Sequence, residues 1–142
     1  MTDSEVLTAT VRIGAPPTAV FPYLVDPGLI TRWIGEWADL RPEPGGTFAL
    51  DISRTPVRGE YLEVEPPRRV VFTWGVAGSD SLPPGSTTVE IRLVPDGPDT
   101  IVELYHHDLP PAEFDGHRKG WLEKLDQLAG KVAGRDAADI QR

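Results

Sequence analysis

Two periodicities divide the chain. Between residues 37 and 107, short runs rich in Val, Ile, Phe, Thr and Tyr tend to alternate with polar positions, the period of two expected of strands with one buried face. Clusters such as "RPEPGG", "EPP", "LPPG" and "PDGP" separate the runs. Proline lacks a backbone donor and glycine tolerates turn geometry, so these clusters predict hairpin connections. With a first run near the N-terminus, the pattern predicts strands near 4–13, 37–41, 46–53, 57–65, 68–76, 86–95 and 99–107.

Two segments depart from the alternation. "PPTAVFPYLVDPGLITRWI" groups Val20, Phe21 and Leu24, then Leu29, Ile30 and Trp33. This predicts two short helices, the first starting at Pro17 and the pair separated by Asp26-Pro27. Pro22 falls inside the first and removes a hydrogen-bond donor there, so that helix must be short or distorted. From about 112 to 133, Phe114, Trp121, Leu125, Leu128 and Val132 recur at helical steps, while Lys119, Glu123, Lys124 and Asp126 are charged positions off that stripe. Such a stripe requires burial, and the inner face of the strands is the surface available for it. The element order predicts an α+β domain, a curved antiparallel seven-stranded sheet wrapped on a long C-terminal helix.

A length of 142 residues fits one domain over 1–134, with a tail at 135–142 free to fray. The chain carries 14 Lys and Arg against 22 Asp and Glu, a formal net charge of −8. This field disfavours nucleic acid and anionic membrane surfaces as partners. No apolar stretch approaches the roughly 20 residues of a membrane helix, and no basic region followed by an apolar run marks a leader. Cysteine is absent, which excludes disulfide and thiolate chemistry and fits a cytoplasmic setting.

Five pieces in order, "PPTAVFPYLVDPGLITRW", "RPEPGGTF", "VRGEYLEVEPPRRVVFTW", "TIVELYHHDLP" and "HRKGWLEKLDQL", give the chain a family resemblance over roughly residues 4–130. It resembles the START-like (SRPBCC) superfamily, in the subgroup related to the activator of the heat-shock-protein-90 ATPase. The resemblance implies the helix-grip fold. It implies no universal catalytic residue, because the superfamily spans carriers of lipids, hormones and polyketides, aromatases and cyclases, and a chaperone regulator.

All three histidines fall in "ELYHHDLPPAEFDGHRKGW". On a strand, His106 and His107 point to opposite faces. Val102, Leu104 and His106 share the apolar parity, so His106 is expected inside and His107 outside. His117, four residues before Trp121 on the helix, returns toward His106. At most two histidines converge, no zinc spacing such as H-E-x-x-H is present, and no metal or cofactor is expected. The resemblance matches His106 and His117 to recurrent positions at the strand end and helix start. They are either structural histidines fixing helix to sheet or polar groups at the end of a pocket.

Trp33, Trp37, Phe48, Tyr61, Phe72, Trp74 and Trp121 are distributed over the short helices, the sheet and the long helix. They either pack as plain core, the simpler reading for Phe48 and Trp121, or line an apolar cavity with a few polar handles. With His106 and His117 they form the candidate ligand pocket. Gly45-Gly46 predicts a tight turn and Gly59 a bulge or close backbone approach. Gly120 costs about 1 kcal/mol in a helix interior relative to alanine, a cost that close packing or room for a ligand would offset. Asp51, Arg58 and Glu60 form either an exposed cross-strand ladder or a polar cluster. No serine sits in a nucleophile elbow, and no catalytic residue is assigned. The expected function is binding of a small, largely apolar, lipid- or polyketide-like molecule between sheet and helix. The alternatives are an aromatase/cyclase- or hydrolase-like enzyme with His106 beside Tyr61 or Arg58, and a chaperone-partner module marked by an exposed apolar patch on the outer sheet face.

Overall fold

The computed structural model describes residues 6–140, with side chains as far as residue 134. Seven strands form one antiparallel sheet: β1 (Leu7–Ile13), β2 (Trp37–Leu40), β3 (Thr47–Ile52), β4 (Thr55–Glu65), β5 (Arg69–Trp74), β6 (Thr87–Asp96) and β7 (Asp99–His107). Their order is β1-β7-β6-β5-β4-β3-β2. Strands β2 to β7 are a simple meander, and β1 closes the far edge by pairing with β7. Residues 4 and 5 of the first predicted strand lie outside the described residues.

The short helical segment resolves into three single turns: α1 (Pro17–Val20), α2 (Pro22–Val25) and α3 (Pro27–Ile30). The sequence pattern predicted two. Pro22 is the reason for the third: it occupies the first turn of α2, where a missing N–H costs nothing, with Phe21 capping both neighbours. Asp26 caps α3, its carboxylate accepting from the Gly28 and Leu29 amides at 2.8 and 3.1 Å.

The long helix α4 spans Pro111–Ile140, beyond the end that the apolar stripe predicts. The expected fraying of 135–142 falls on side chains outside the described residues. Trp121, Leu125, Leu128 and Val132 are buried as the periodicity requires, and Phe114 is half-buried. The backbone of α4 makes its closest sustained approach to β1. No described helix is long and apolar enough to cross a membrane.

Strand parity sets the two faces. Val70, Phe72 and Trp74 of β5, Thr87, Val89, Ile91 and Leu93 of β6, and Thr100, Val102, Leu104 and His106 of β7 are buried toward α4. The register breaks once in β4, between Tyr61 and Glu63, where Leu62 is the extra residue of a bulge. The bulge lies three residues beyond Gly59. Gly59 is instead a close approach: a Cβ there would come within 2.0 Å of the Thr73 carbonyl oxygen. Gly59 also stands opposite Phe48 in the register. Phe48 of β3 and Phe72 of β5 meet across β4 and stack at 3.8 Å between ring centroids.

Candidate functional site

The inner face has a filled part and an open part. In the filled part the Phe48–Phe72 stack is met edge-on by Tyr61, 5.5 Å from Phe48. Tyr61 is fully buried, and its hydroxyl donates to the Leu24 carbonyl of α2 at 3.1 Å. Burial pushes this phenol above its ordinary range. The Trp33 indole donates to the Tyr23 carbonyl at 2.9 Å. The space left among Phe48, Phe72, Trp33 and Trp121 is about 10 Å³, too little for a ligand. These four aromatic residues are therefore packed core at this depth.

The open part lies beside the first turns of α4. One groove of about 320 Å³ runs along Glu113, Gly116, His117, Gly120 and Lys124, with Trp74, Trp121, Ile34 and Ile52 on its other side. A second, of about 360 Å³, adjoins it and shares Ile52, Trp74, Glu113 and His117. It continues toward Val57, Val76 and Leu82, with Thr55 and Ser79 as polar lining. Gly116 and Gly120 make the first groove possible. A Cβ added at either meets nothing within 4 Å, so the missing side chains leave space unfilled by any neighbour.

A four-group hydrogen-bond chain forms the wall between filled and open parts. The Thr87 hydroxyl donates to the Trp74 carbonyl at 2.7 Å. Its only proton is thereby used, so His106 Nε2, at 2.9 Å from the same oxygen, must be the donor to Thr87. His106 Nδ1 is then the acceptor of the Trp121 indole N–H at 3.0 Å. Both nitrogens of His106 are committed and its side chain is fully buried. Burial, helped by His117 and His107, pushes the imidazole down from 6.5 to about 3. His106 is a neutral joint between β6, β7 and α4.

His117 takes the opposite tautomer. The Trp74 indole N–H donates to its Nε2 at 3.3 Å, and its Nδ1 donates to the Glu113 carbonyl at 3.0 Å. The Glu113 carboxylate lies 3.6 Å from the same Nδ1. The two imidazole centroids are 5.3 Å apart, with Trp74 packed edge-on against both and Trp121 against His106. His106 is enclosed within this wall, whereas His117 lines both grooves. Among the described residues, no three His, Cys, Asp or Glu side chains are grouped to hold a metal ion.

The remaining pocket candidate, Trp37, lies elsewhere. It pairs with Asp51 in the β2–β3 register and is 46% exposed. Arg58 sits over its ring at 5.2 Å and pairs with Asp51 at 3.0 Å. These residues form a cross-strand cluster on the outer face, and Glu60 is exposed farther along β4. That face is polar elsewhere too: Arg69 pairs with Glu63, Glu65 and Glu90, and Arg92 with Glu90. Burial alone would raise the Glu90 carboxyl, but hydrogen bonds from Arg69 and Arg92 outweigh it and hold the group below its usual range.

Sequence reasoning missed Ile34, Ile52, Glu113, Gly116 and Lys124 as groove lining, and Thr87 as the partner of His106. A signal existed for several of them. Glu113, Gly116, His117, Gly120 and Lys124 recur at three- and four-residue steps, the period that located the apolar stripe, one face over. Thr87 faces Trp74 in the β5–β6 register.

Comparison with known proteins agrees with this architecture. The profile of the family described as "Activator of Hsp90 ATPase homolog 1-like protein" matches residues 14–133. An AHSA1-like protein from Rhizobium etli, solved by NMR, is 40% identical, with a TM-score of 0.75 over 94% of this chain and 85% of that one. CalU16 from Micromonospora echinospora is 32% identical, with a TM-score of 0.77 over 92% of this chain and 76% of that one. A Mesorhizobium loti protein at 22% identity shares the fold, with a TM-score of 0.82 over 92% of this chain and 98% of the other. Among functionally curated proteins, none matches. The fold is the helix-grip arrangement of START-like proteins, and the chain belongs to the activator of Hsp90 ATPase homolog 1-like family.

Proposed function

We propose that the protein binds a small, largely apolar molecule of lipid- or polyketide-like character in the paired grooves beside the first half of α4. The supporting observation is the space itself. Two adjoining grooves of about 320 and 360 Å³ have the size of small-molecule sites. Gly116 and Gly120 hold one of them open at a cost in helix propensity. Binding comes from burial against Trp74, Trp121, Ile34 and Ile52, with His117 as a polar handle.

An enzymatic reading has less support. His106, the residue from which acid–base chemistry was expected, spends both ring nitrogens on Trp121 and Thr87, so it has no group free for proton transfer at the groove. A chaperone-partner reading would favour an apolar outer sheet face, and the outer face carries the Arg69 and Arg92 ion pairs instead.

The test uses Gly120→Leu. A Cβ at this position meets open space, so the substitution is expected to fill the groove with the fold retained, which its melting curve checks. Trp74→Ala is less suitable, because Trp74 is only 5% exposed and its removal threatens the fold. Native mass spectrometry of the protein from its own cells should find a retained small molecule on the wild type and none on the variant. Equal occupancy of both would remove the grooves as the site.

A further inference from the structure

The first groove is not electrically symmetric. Glu113 lies at one end and Lys124 at the other, eleven residues apart on one helix face and so separated by about 16 Å along the axis. The His117 ring, 3.6 Å from the Glu113 carboxylate, takes the neutral tautomer and is no counter-ion to it. Lys124 makes no ion pair among the described residues. The helix offers it none. Its neighbours at three and four residues are Gly120, Trp121, Gln127 and Leu128, none of them acidic. In a chain of net charge −8, the one cation lining this groove is left without an internal counter-ion.

Resting on the ligand-binding reading above, we infer that the ligand is an amphipathic carboxylic acid. Its apolar body lies in the channel over Gly116 and Gly120, and its carboxylate is held by Lys124 at the groove mouth. A lysine stem covers apolar surface while its ammonium stays at the water boundary, so the acid group is neutralised without full desolvation of either charge. Glu113 repels a carboxylate from the other end and thereby fixes the direction of binding. A single ammonium suits a single negative charge. Phosphate recognition commonly draws on several donors or an arginine fork, and the net negative field of the chain disfavours a dianion further.

The experiment compares matched probes by quenching of tryptophan fluorescence, since Trp74 and Trp121 line the groove. The probes are dodecanoate against dodecanol and naphthalene carboxylate against naphthalene methanol, with dodecyl phosphate as a third headgroup. The expected result is that the wild type binds each acid roughly tenfold more tightly than its alcohol, the scale of one charge-assisted hydrogen bond. Lys124→Gln should erase that preference by weakening acid binding far more than alcohol binding, and Lys124→Glu should invert it. Equal affinity for acid and alcohol, or a preference that survives Lys124→Gln, overturns the carboxylate assignment. If Gly120→Leu still abolishes binding in that case, the groove reading stands. Tighter binding of dodecyl phosphate than of dodecanoate replaces the carboxylate by a phosphate. Failure to bind any probe, or binding that Gly120→Leu leaves intact, overturns the groove and the inference together.

Discussion

Two regions of one sheet face, both covered by aromatic residues, end in opposite states. At Phe48, Tyr61 and Phe72 the rings close on each other, and about 10 Å³ remains beside the two phenylalanines. At Trp74 and Trp121 two grooves of about 320 and 360 Å³ remain. Aromatic content does not separate them; the position of glycine does. Gly59 lies in the sheet opposite Phe48, and a Cβ there would collide with the Thr73 backbone, so its missing side chain lets β4 and β5 close up. Gly116 and Gly120 lie on the helix, where nothing reaches in to replace what is missing. The same residue type closes one region and opens the other, because the strand glycine has a neighbouring strand's backbone pressed against it and these helix glycines face a gap.

The comparison is broken most severely by removing a ring from the filled part. Phe72→Ala deletes the central member of the stack and leaves a cavity in a region with no slack. The expected loss is about 3–5 kcal/mol in denaturant unfolding. A loss below about 1 kcal/mol would mean that the region collapses readily and is not the rigid half.

The wall between the regions responds to acid. The folded His106 imidazole titrates at about 3 rather than 6.5, so in that interval the unfolded chain holds a proton that the folded chain does not. Stability is therefore complete above 6.5 and falls as the pH drops toward the folded value. The slope from this one group approaches about 1.4 kcal/mol per pH unit. His106→Gln keeps an acceptor for Trp121 and a donor for Thr87 but cannot titrate. Its acid limb should be shallower than the wild type's by that slope in equilibrium unfolding across the interval. Parallel acid limbs would show that the His106 joint does not hold the wall.

Much of this was legible in the sequence. Alternation placed six of the seven strands within two residues at each end, and the apolar stripe marked the buried face of α4. On β7, parity alone put His106 inside, because Val102 and Leu104 share its phase. Pro22 gave notice of a distorted helix but not that the chain would restart as a separate turn. What could not be read was the division of the inner face into filled and open parts. Parity says which rings point inward, but the stacking of Phe48 on Phe72 depends on the β3–β4 and β4–β5 registers together. Trp37 was grouped with the inner aromatics, whereas its register with Asp51 sets it beside Arg58 on the outer face. Lys124 and Glu113 were invisible as groove lining while charge on a helix meant only a solvated surface.

The smallest expected effect gives the sharpest test of the open region. Gly116 and Gly120 both lie in the interior of α4, and a methyl group at either has free space around it. Helix propensity then predicts that Gly116→Ala and Gly120→Ala each stabilise the protein, by up to about 1 kcal/mol, as a rise in the unfolding midpoint. Two glycines retained where alanine is better tolerated are explained if the space they leave has a use. The double alanine variant should therefore unfold later and quench less with dodecanoate, in proportion to the groove volume it removes. A loss of stability would point to a packing role for the glycines, with α4 needing them to approach the sheet. A gain in stability with binding unchanged would leave the channel over the glycines without a function and move any ligand toward the second groove, at Val57, Val76 and Leu82.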